Sequence, residues 1–353
     1  MPVRLSAQPS FKDLFGPGSV GENRTVAGMF VCDGGPTSAE ICAGAGFDYL
    51  LIDGEHGTFW LESIQDQLRA IAAYPTLAVV RVPENSEVLI KQVLDAGAQT
   101  IMVPMVQDAA EAQGAVKAVR YPQPGNPAAG VRGVGSALAR SARWGRIPDY
   151  LTRAHEFVSL IVQIESATAL RHAKEIAGVE GVDAVFLGPS DLAASMGLLG
   201  QQTHPTVVSA VKQVIADVKS QGKVVGVNAF DQAQARDYIE AGADFVNVGA
   251  DVALLARGTE ALAAAFIPQD CRPSRPTPPG EGQRKGPARR RAGPFACVSR
   301  GRRPTSGGRG GRSAAGRAPR SRRSSRATRS RTGARRRRGR CEGRRRRPRR
   351  GPP

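Results

Sequence analysis

Ala45-Gly-Phe-Asp-Tyr-Leu-Leu51, Ala96-Gly-Ala-Gln-Thr-Ile-Met102 and Ala241-Gly-Ala-Asp-Phe-Val-Asn247 are three versions of one joint. In each, a helical stretch ends, a glycine takes the left-handed position that only it adopts without steric cost, and a buried strand begins at once. Working outward from these joints gives eight strands: Val26–Val31, Phe47–Ile52, Leu77–Val82, Thr100–Val103, Val158–Ile164, Ala184–Leu187, Lys223–Val227 and Phe245–Val248. Amphipathic stretches such as Leu61–Ala73, Glu87–Asp95, Ala109–Arg120, Ala167–Ala177, Thr206–Ser220 and Asp231–Ala241 separate them, and Val252–Ala265 closes the series. Near-continuous apolar strands belong to a parallel sheet covered on its outer face. Strict alternation over eight units predicts an α/β fold, a (β/α)8 TIM barrel, of about the 250 residues such barrels need.

The expected organisation is an N-terminal extension over 1–24, the barrel over 25–268 and a tail over 269–353. One insertion breaks the rhythm: Tyr121–Gly135, rich in Pro and Gly, then the basic run Ser136–Arg146 and a short helix from Pro148. Loops this long in compact domains are usually functional or disordered. Its place after the fourth strand suggests a cover over the barrel mouth.

Charge separates the chain into two polymers. Residues 271–353 hold 29 Arg and 1 Lys against 2 Glu, a net of +28; the whole chain carries +19, which leaves −9 on residues 1–270. The body therefore has no charge-based case for binding nucleic acid. The tail is too poor in apolar residues to build a core and reads as disordered. Its Arg, Pro, Gly and Ala content fits GC-rich DNA translated out of frame, a frameshift product. The alternatives are a solubilising extension and a polybasic tail that holds nucleic acid non-specifically, although Lys285 is its only lysine. Cys32 and Cys42 have no ligand-like spacing and read as reduced core thiols in a cytoplasmic protein. Met29, Met102 and Met105 read as core fillers. No secretory leader and no membrane-length apolar run is visible.

Chemistry in such a barrel sits at the C-terminal ends of the strands. Those positions hold Asp53, Glu55 and His56 after strand 2, Arg81 on strand 3, Gln163 and Glu165 on strand 5, and Ser190 and Asp191 after strand 6. Gln163 and Glu165 are two apart and so share a face. If that face is inward, Glu165 and Asp191 converge from adjacent strands, and two carboxylates with room for water suit a hard divalent ion such as Mg²⁺ or Mn²⁺. The plainer alternatives are that Glu165 merely pairs with Arg81 and that Asp191 is a helix cap. No lysine stands at a strand's C-terminal end, which argues against Schiff-base chemistry: Lys91, Lys117, Lys174, Lys212 and Lys219 are helical and Lys223 opens strand 7.

Five segments carry a resemblance: Leu51-Ile-Asp-Gly-Glu-His56, Val79-Val-Arg-Val-Pro83, Arg132-Gly-Val-Gly-Ser-Ala-Leu-Ala-Arg140, Val162-Gln-Ile-Glu165 and Gly188-Pro-Ser-Asp-Leu192. They resemble, in order, the signature segments of the HpcH/HpaI aldolase family, class II pyruvate aldolases, over about residues 25–266. The resemblance implies a barrel of the phosphoenolpyruvate/pyruvate type, a divalent cation (Mg²⁺, Mn²⁺ or Co²⁺) and a homohexamer. It implies retro-aldol cleavage of a 4-hydroxy-2-oxo acid, with 4-hydroxy-2-oxoheptanedioate of aromatic catabolism the nearest fit, to pyruvate and succinate semialdehyde. A sugar-acid aldolase acting on 2-dehydro-3-deoxyglucarate is the alternative, and a nucleic-acid-binding protein is the remote one.

By motif position, Glu165 and Asp191 would hold the metal, and Gln163, Ser190 and Asp191 the 2-keto acid. Arg81 would stabilise the enolate, His56 would act as base, and Asp95 would support the histidine. The topology places Asp95 at the far end of its helix, a tension within the resemblance. Gly57-Thr-Phe-Trp60 and a longer Tyr121–Gly133 depart from the family pattern and bear on the aldehyde half of the substrate.

Overall fold

The computed structural model describes residues 8–267; the expected tail and frameshift lie outside the described residues. Eight parallel strands close into a barrel in sequence order. They are β1 Val26–Val31, β2 Tyr49–Asp53, β3 Leu77–Arg81, β4 Thr100–Val103, β5 Ser159–Ile164, β6 Ala184–Leu187, β7 Val224–Asn228 and β8 Phe245–Ala250. The expected barrel is therefore present, with most strand ends within two residues of the sequence reading. Gly46, Gly97 and Gly242 have φ of 93°, 111° and 102°, the left-handed joints expected of them.

Most outer helices bury one stripe against the strands, whereas Asp251–Phe266 has no buried residue. In Leu61–Ile71 the buried residues are Ile64, Gln67, Leu68 and Ile71, the spacing of one helical face. Truncating Ile64 or Leu68 to alanine would cost about 2–5 kcal/mol. Asp108 and Asp231 accept the backbone N–H of Glu111 and Gln234 and so fix where two helices begin. The expected single helix over Ala167–Ala177 is two, Ala167–Arg171 and Ala173–Ala177, because His172 leaves helical geometry at ψ 14°.

The barrel interior is filled, with Tyr49, Leu51, Val79, Met102, Ile161, Phe186 and Phe245 in one buried cluster. Phe11 joins it at 0% exposure, edge-on to Tyr49 at 5.3 Å and to Phe245 at 4.9 Å. The N–H groups of Phe11 and Lys12 donate to Thr100 Oγ1 and Ser159 Oγ, which stand at the N-terminal ends of β4 and β5. The described part of the N-terminal extension is thus the plug of the barrel floor, and its anchor is one aromatic residue.

The insertion is placed differently from the expectation. It follows the helix Ala109–Val119, which runs from the mouth to the floor, so it packs at the floor and not over the mouth. Arg140 N–H donates to the Asp95 carbonyl there, and Arg143 Nη2 to Gln8 Oε1. Among the described residues no helix is long and apolar enough to cross a membrane.

Candidate active site

Side chains alternate along a strand, so Asp53, Arg81, Gln163 and Asn228 follow the inward residues Leu51, Val79, Ile161 and Gly226 onto the barrel axis, at the C-terminal end. A cleft of about 270 Å³ opens there, lined by Asp53, His56, Arg81, Gln163, Ser190 and Asp191. On its other side are Phe30, Phe186, Asn228, Phe230 and Ala250.

Asp53 and Arg81 are register partners on β2 and β3. Arg81 donates from Nε and Nη2 to the two Asp53 oxygens at 2.9 and 2.7 Å, a bidentate pair in which both residues are at most 5% exposed. Its third arm, Nη1, stands 2.9 Å from Glu55 Oε2 and 3.4 Å from Gln163 Oε1. The Phe30 ring lies beneath the guanidinium at 5.1 Å. Burial alone would raise the Asp53 pKa, but the Arg81 guanidinium outweighs it and holds the carboxylate below its ordinary range. Glu55 goes the other way: burial pushes it up, with Arg81 offsetting part of the push. His56 is exposed at the cleft edge, its Nε2 3.9 Å from Glu55 Oε2.

Glu165 is 2% exposed and does not pair with Arg81 by direct contact. Its Oε1 accepts the Met105 N–H at 2.9 Å and its Oε2 the Gln163 amide at 2.5 Å. Burial pushes its pKa up to about 7 against the pull of the Met105 N–H, and the charges of Glu55 and Asp191 add to the rise. Gly188 makes this packing possible: a Cβ there would lie 2.5 Å from Glu165 Oε2. Ser190 and Asp191 follow in the first turns of the helix Pro189–Ser195, both exposed to the cleft.

A divalent cation fits this donor set. Glu165, Glu55 and Asp191 repel one another, Arg81 is shared by Asp53 and Glu55, and the donors of Glu165 and Asp191 are hard oxygens. Among the described residues no three His, Cys, Asp or Glu side chains form a closed ligand cluster. Two carboxylates, Glu165 and Asp191, would leave coordination positions for water and a substrate.

The structure brings His56, Arg81, Gln163, Glu165, Ser190 and Asp191 to one end of the barrel and leaves Asp95 at the other. Asp95 ends the helix Glu87–Ala96, and its Oδ1 accepts Arg132 Nη2 at 3.0 Å. Within one chain it does not reach His56.

Three contributors were not given a role from sequence. Asp53 was legible as a rim residue, but its grip on Arg81 depends on the β2–β3 register. The sequence reads Met105 as a core filler, yet it is 47% exposed and left-handed at φ 55°. That conformation costs about 1–2 kcal/mol in a residue with a Cβ, and it aims the N–H at Glu165. The sequence reads Cys32 as a core thiol, yet it lines the cleft, 3.8 Å from Asp53 Oδ2. Burial, with the charges of Asp53 and Asp251, pushes it up to about 12.

Residues 26–258 match the family model described as HpcH/HpaI aldolase/citrate lyase. The chain is 49% identical over 257 residues to a 4-hydroxy-2-oxo-heptane-1,7-dioate aldolase of Salmonella dublin, covering 73% of this chain and 94% of that one. It is 52% identical over 229 residues to a protein of the same name from Escherichia coli, covering 65% and 86%. A solved HpcH/HpaI aldolase/citrate lyase family structure from Burkholderia cenocepacia J2315 is 43% identical, covers 68% of this chain and 93% of its own, and superposes with a TM-score of 0.65. The chain belongs to the HpcH/HpaI aldolase/citrate lyase family.

Proposed function

We propose that this carbon–carbon lyase cleaves 4-hydroxy-2-oxoheptanedioate to pyruvate and succinate semialdehyde, as the names of its relatives suggest. The observation that carries the reading is the place of a cationic enolate sink, Arg81, on the same cleft as Asp191 and Gln163, whose amide holds the buried carboxylate Glu165 behind it.

Glu165 and Asp191 would hold a divalent cation (Mg²⁺, Mn²⁺ or Co²⁺), which supplies Lewis-acid polarisation of the 2-keto group. Gln163 and the backbone at Ser190 would orient the carboxylate and keto oxygens of the substrate. His56, at the cleft edge, would take the proton of the 4-hydroxyl. The C3–C4 bond then breaks, C4 leaves as the aldehyde, and the bonding pair enters the enolate of pyruvate. Arg81, fixed by Asp53, would face the enolate oxygen as its charge grows, a preorganised donor needing no rearrangement. Protonation at C3 completes pyruvate. Asp95 has no part in this sequence within one chain; its support of His56, the homohexamer and a cytoplasmic setting in aromatic catabolism are carried by the resemblance alone.

The uncharged Asn228 amide on the far wall also suits a sugar-derived acid such as 2-dehydro-3-deoxyglucarate. A coupled pyruvate-release assay over both substrates tests the choice. Faster turnover of the heptanedioate supports the reading, and preference for the sugar acid replaces it.

A further inference from the structure

Arg140 closes the segment Arg132–Arg140, which the catalytic reading leaves without a task. The two arginines that bound it have different surroundings. Arg132 is paired with Asp95 at 3.0 Å and lies over the Tyr121 ring at 4.5 Å. Arg140 is only 7% exposed, and among the described residues no carboxylate and no hydrogen-bond acceptor meets its guanidinium. Its strongest charged neighbours are Arg143 and Arg69, both like charges. Arg69 is already committed to Asp66, and Arg143 to Gln8. Burial, with these two cations, pulls Arg140 down to about 10. A buried guanidinium without a counter-charge is costly, and in folded proteins such groups are paired.

The guanidinium is also held in place. It packs over Gly97, where a Cβ would lie 2.4 Å from Nη1, and the Arg140 N–H is tied to the Asp95 carbonyl. From there it lines a cleft of about 180 Å³ at the barrel floor, where Gln8, Thr76 and Gln99 also stand and no carboxylate does. At about 30 Å³ per water, that cleft has room for an ion of a few heavy atoms.

We propose that Arg140, with Arg143 beside it, forms a binding site for a small oxyanion of the carboxylate or phosphate class at the end of the barrel opposite the cleavage cleft. The planar guanidinium fork matches two oxygens of such an ion at once, and the second arginine adds charge of the right sign. The ion supplies the missing counter-charge, so it binds the folded barrel and stabilises it by linkage. This site is independent of the aldolase reading, because none of its residues lines the catalytic cleft.

The test is thermal unfolding of the full-length chain titrated with inorganic phosphate, against sodium chloride at matched ionic strength. The expected result is a saturable rise of about 5–10 °C at a hundredfold excess over Kd. Arg140→Gln should remove the response and Arg140→Lys keep part of it. Arg143→Gln, at a half-exposed position, should weaken the apparent Kd severalfold, and it carries the test if Arg140→Gln fails to fold. Formate and acetate in parallel titrations separate a carboxylate from a phosphate preference. Equal phosphate responses in the wild type and the foldable arginine variants would overturn the proposal. So would a melting temperature that ignores both anions but rises with protein concentration, since the counter-charge would then come from a second copy of the chain.

Discussion

Arg81 spends two of its three arms on Asp53 and holds the third 2.9 Å from Glu55, so its proposed fitness as an enolate partner depends on both carboxylates. Arg81→Ala is expected to depress both cleavage and pyruvate C3 proton exchange. Asp53→Asn should do the same and lower the melting temperature, because it removes the buried bidentate counter-charge of Arg81 and leaves Glu55 as its nearest carboxylate. Normal exchange in either variant, followed by deuterium uptake, would remove Arg81 from the mechanism. His56→Ala should lower cleavage by about 10²–10⁴, the usual worth of a positioned base. Glu165 adds a pH signature. With no metal bound its carboxyl is raised to about 7, so between the ordinary 4.5 and 7 the folded state holds a proton that the unfolded state has lost. Its contribution to apo stability is therefore present at low pH and lost as pH rises through 7. Metal binding has the opposite sense: Mn²⁺ must displace the proton, so its Kd should weaken by about tenfold per unit as pH falls below 7. A calorimetric Kd flat from pH 5.5 to 8 would remove Glu165 from the ligand set.

At the level of elements, the β6–helix turn shapes the proposed cation site. Gly188→Ala would drive a methyl to 2.5 Å from Glu165 Oε2 while leaving every strand intact. The expected outcome is at least about tenfold weaker metal binding, a loss of about 1.4 kcal/mol, with unchanged far-UV circular dichroism. Native affinity in that variant would mean that Glu165 can move freely. The same scale shows what the sequence could tell and why. The strands were legible because burial on both faces leaves apolar runs, and the glycine joints because a left-handed residue has one cheap solution. Gln163 and Glu165 were legible as a same-face pair because strand period is two. The Arg81–Asp53 clasp was not, since it needs the register of two strands. Met105 was not, because its role lies in its backbone N–H and its side chain gives no sign of it. The insertion was misplaced for a directional reason: it follows a helix that descends from the mouth, so its start is at the floor.

On the scale of the whole molecule, the residues that build the barrel and the cleft all lie between 8 and 267, whereas +28 of charge lies in 271–353. A stop codon after Pro268 is expected to leave the melting temperature and pyruvate release unchanged and to abolish polyanion binding, as removing Asp270 from the −9 of residues 1–270 leaves −8 on residues 1–268. Loss of folding or activity on truncation would show that the tail supports the barrel. The central claim, that Glu165, Asp191 and Arg81 form a metal-dependent pyruvate-releasing site, meets its most direct test in one assay. Pyruvate released from 4-hydroxy-2-oxoheptanedioate is measured in the chelated protein and after Mn²⁺, Co²⁺ or Mg²⁺ is returned. The account predicts no release with chelator, recovery with metal, and no recovery in Glu165→Gln. Full release in excess chelator, or inactivation by borohydride in the presence of pyruvate, would contradict it.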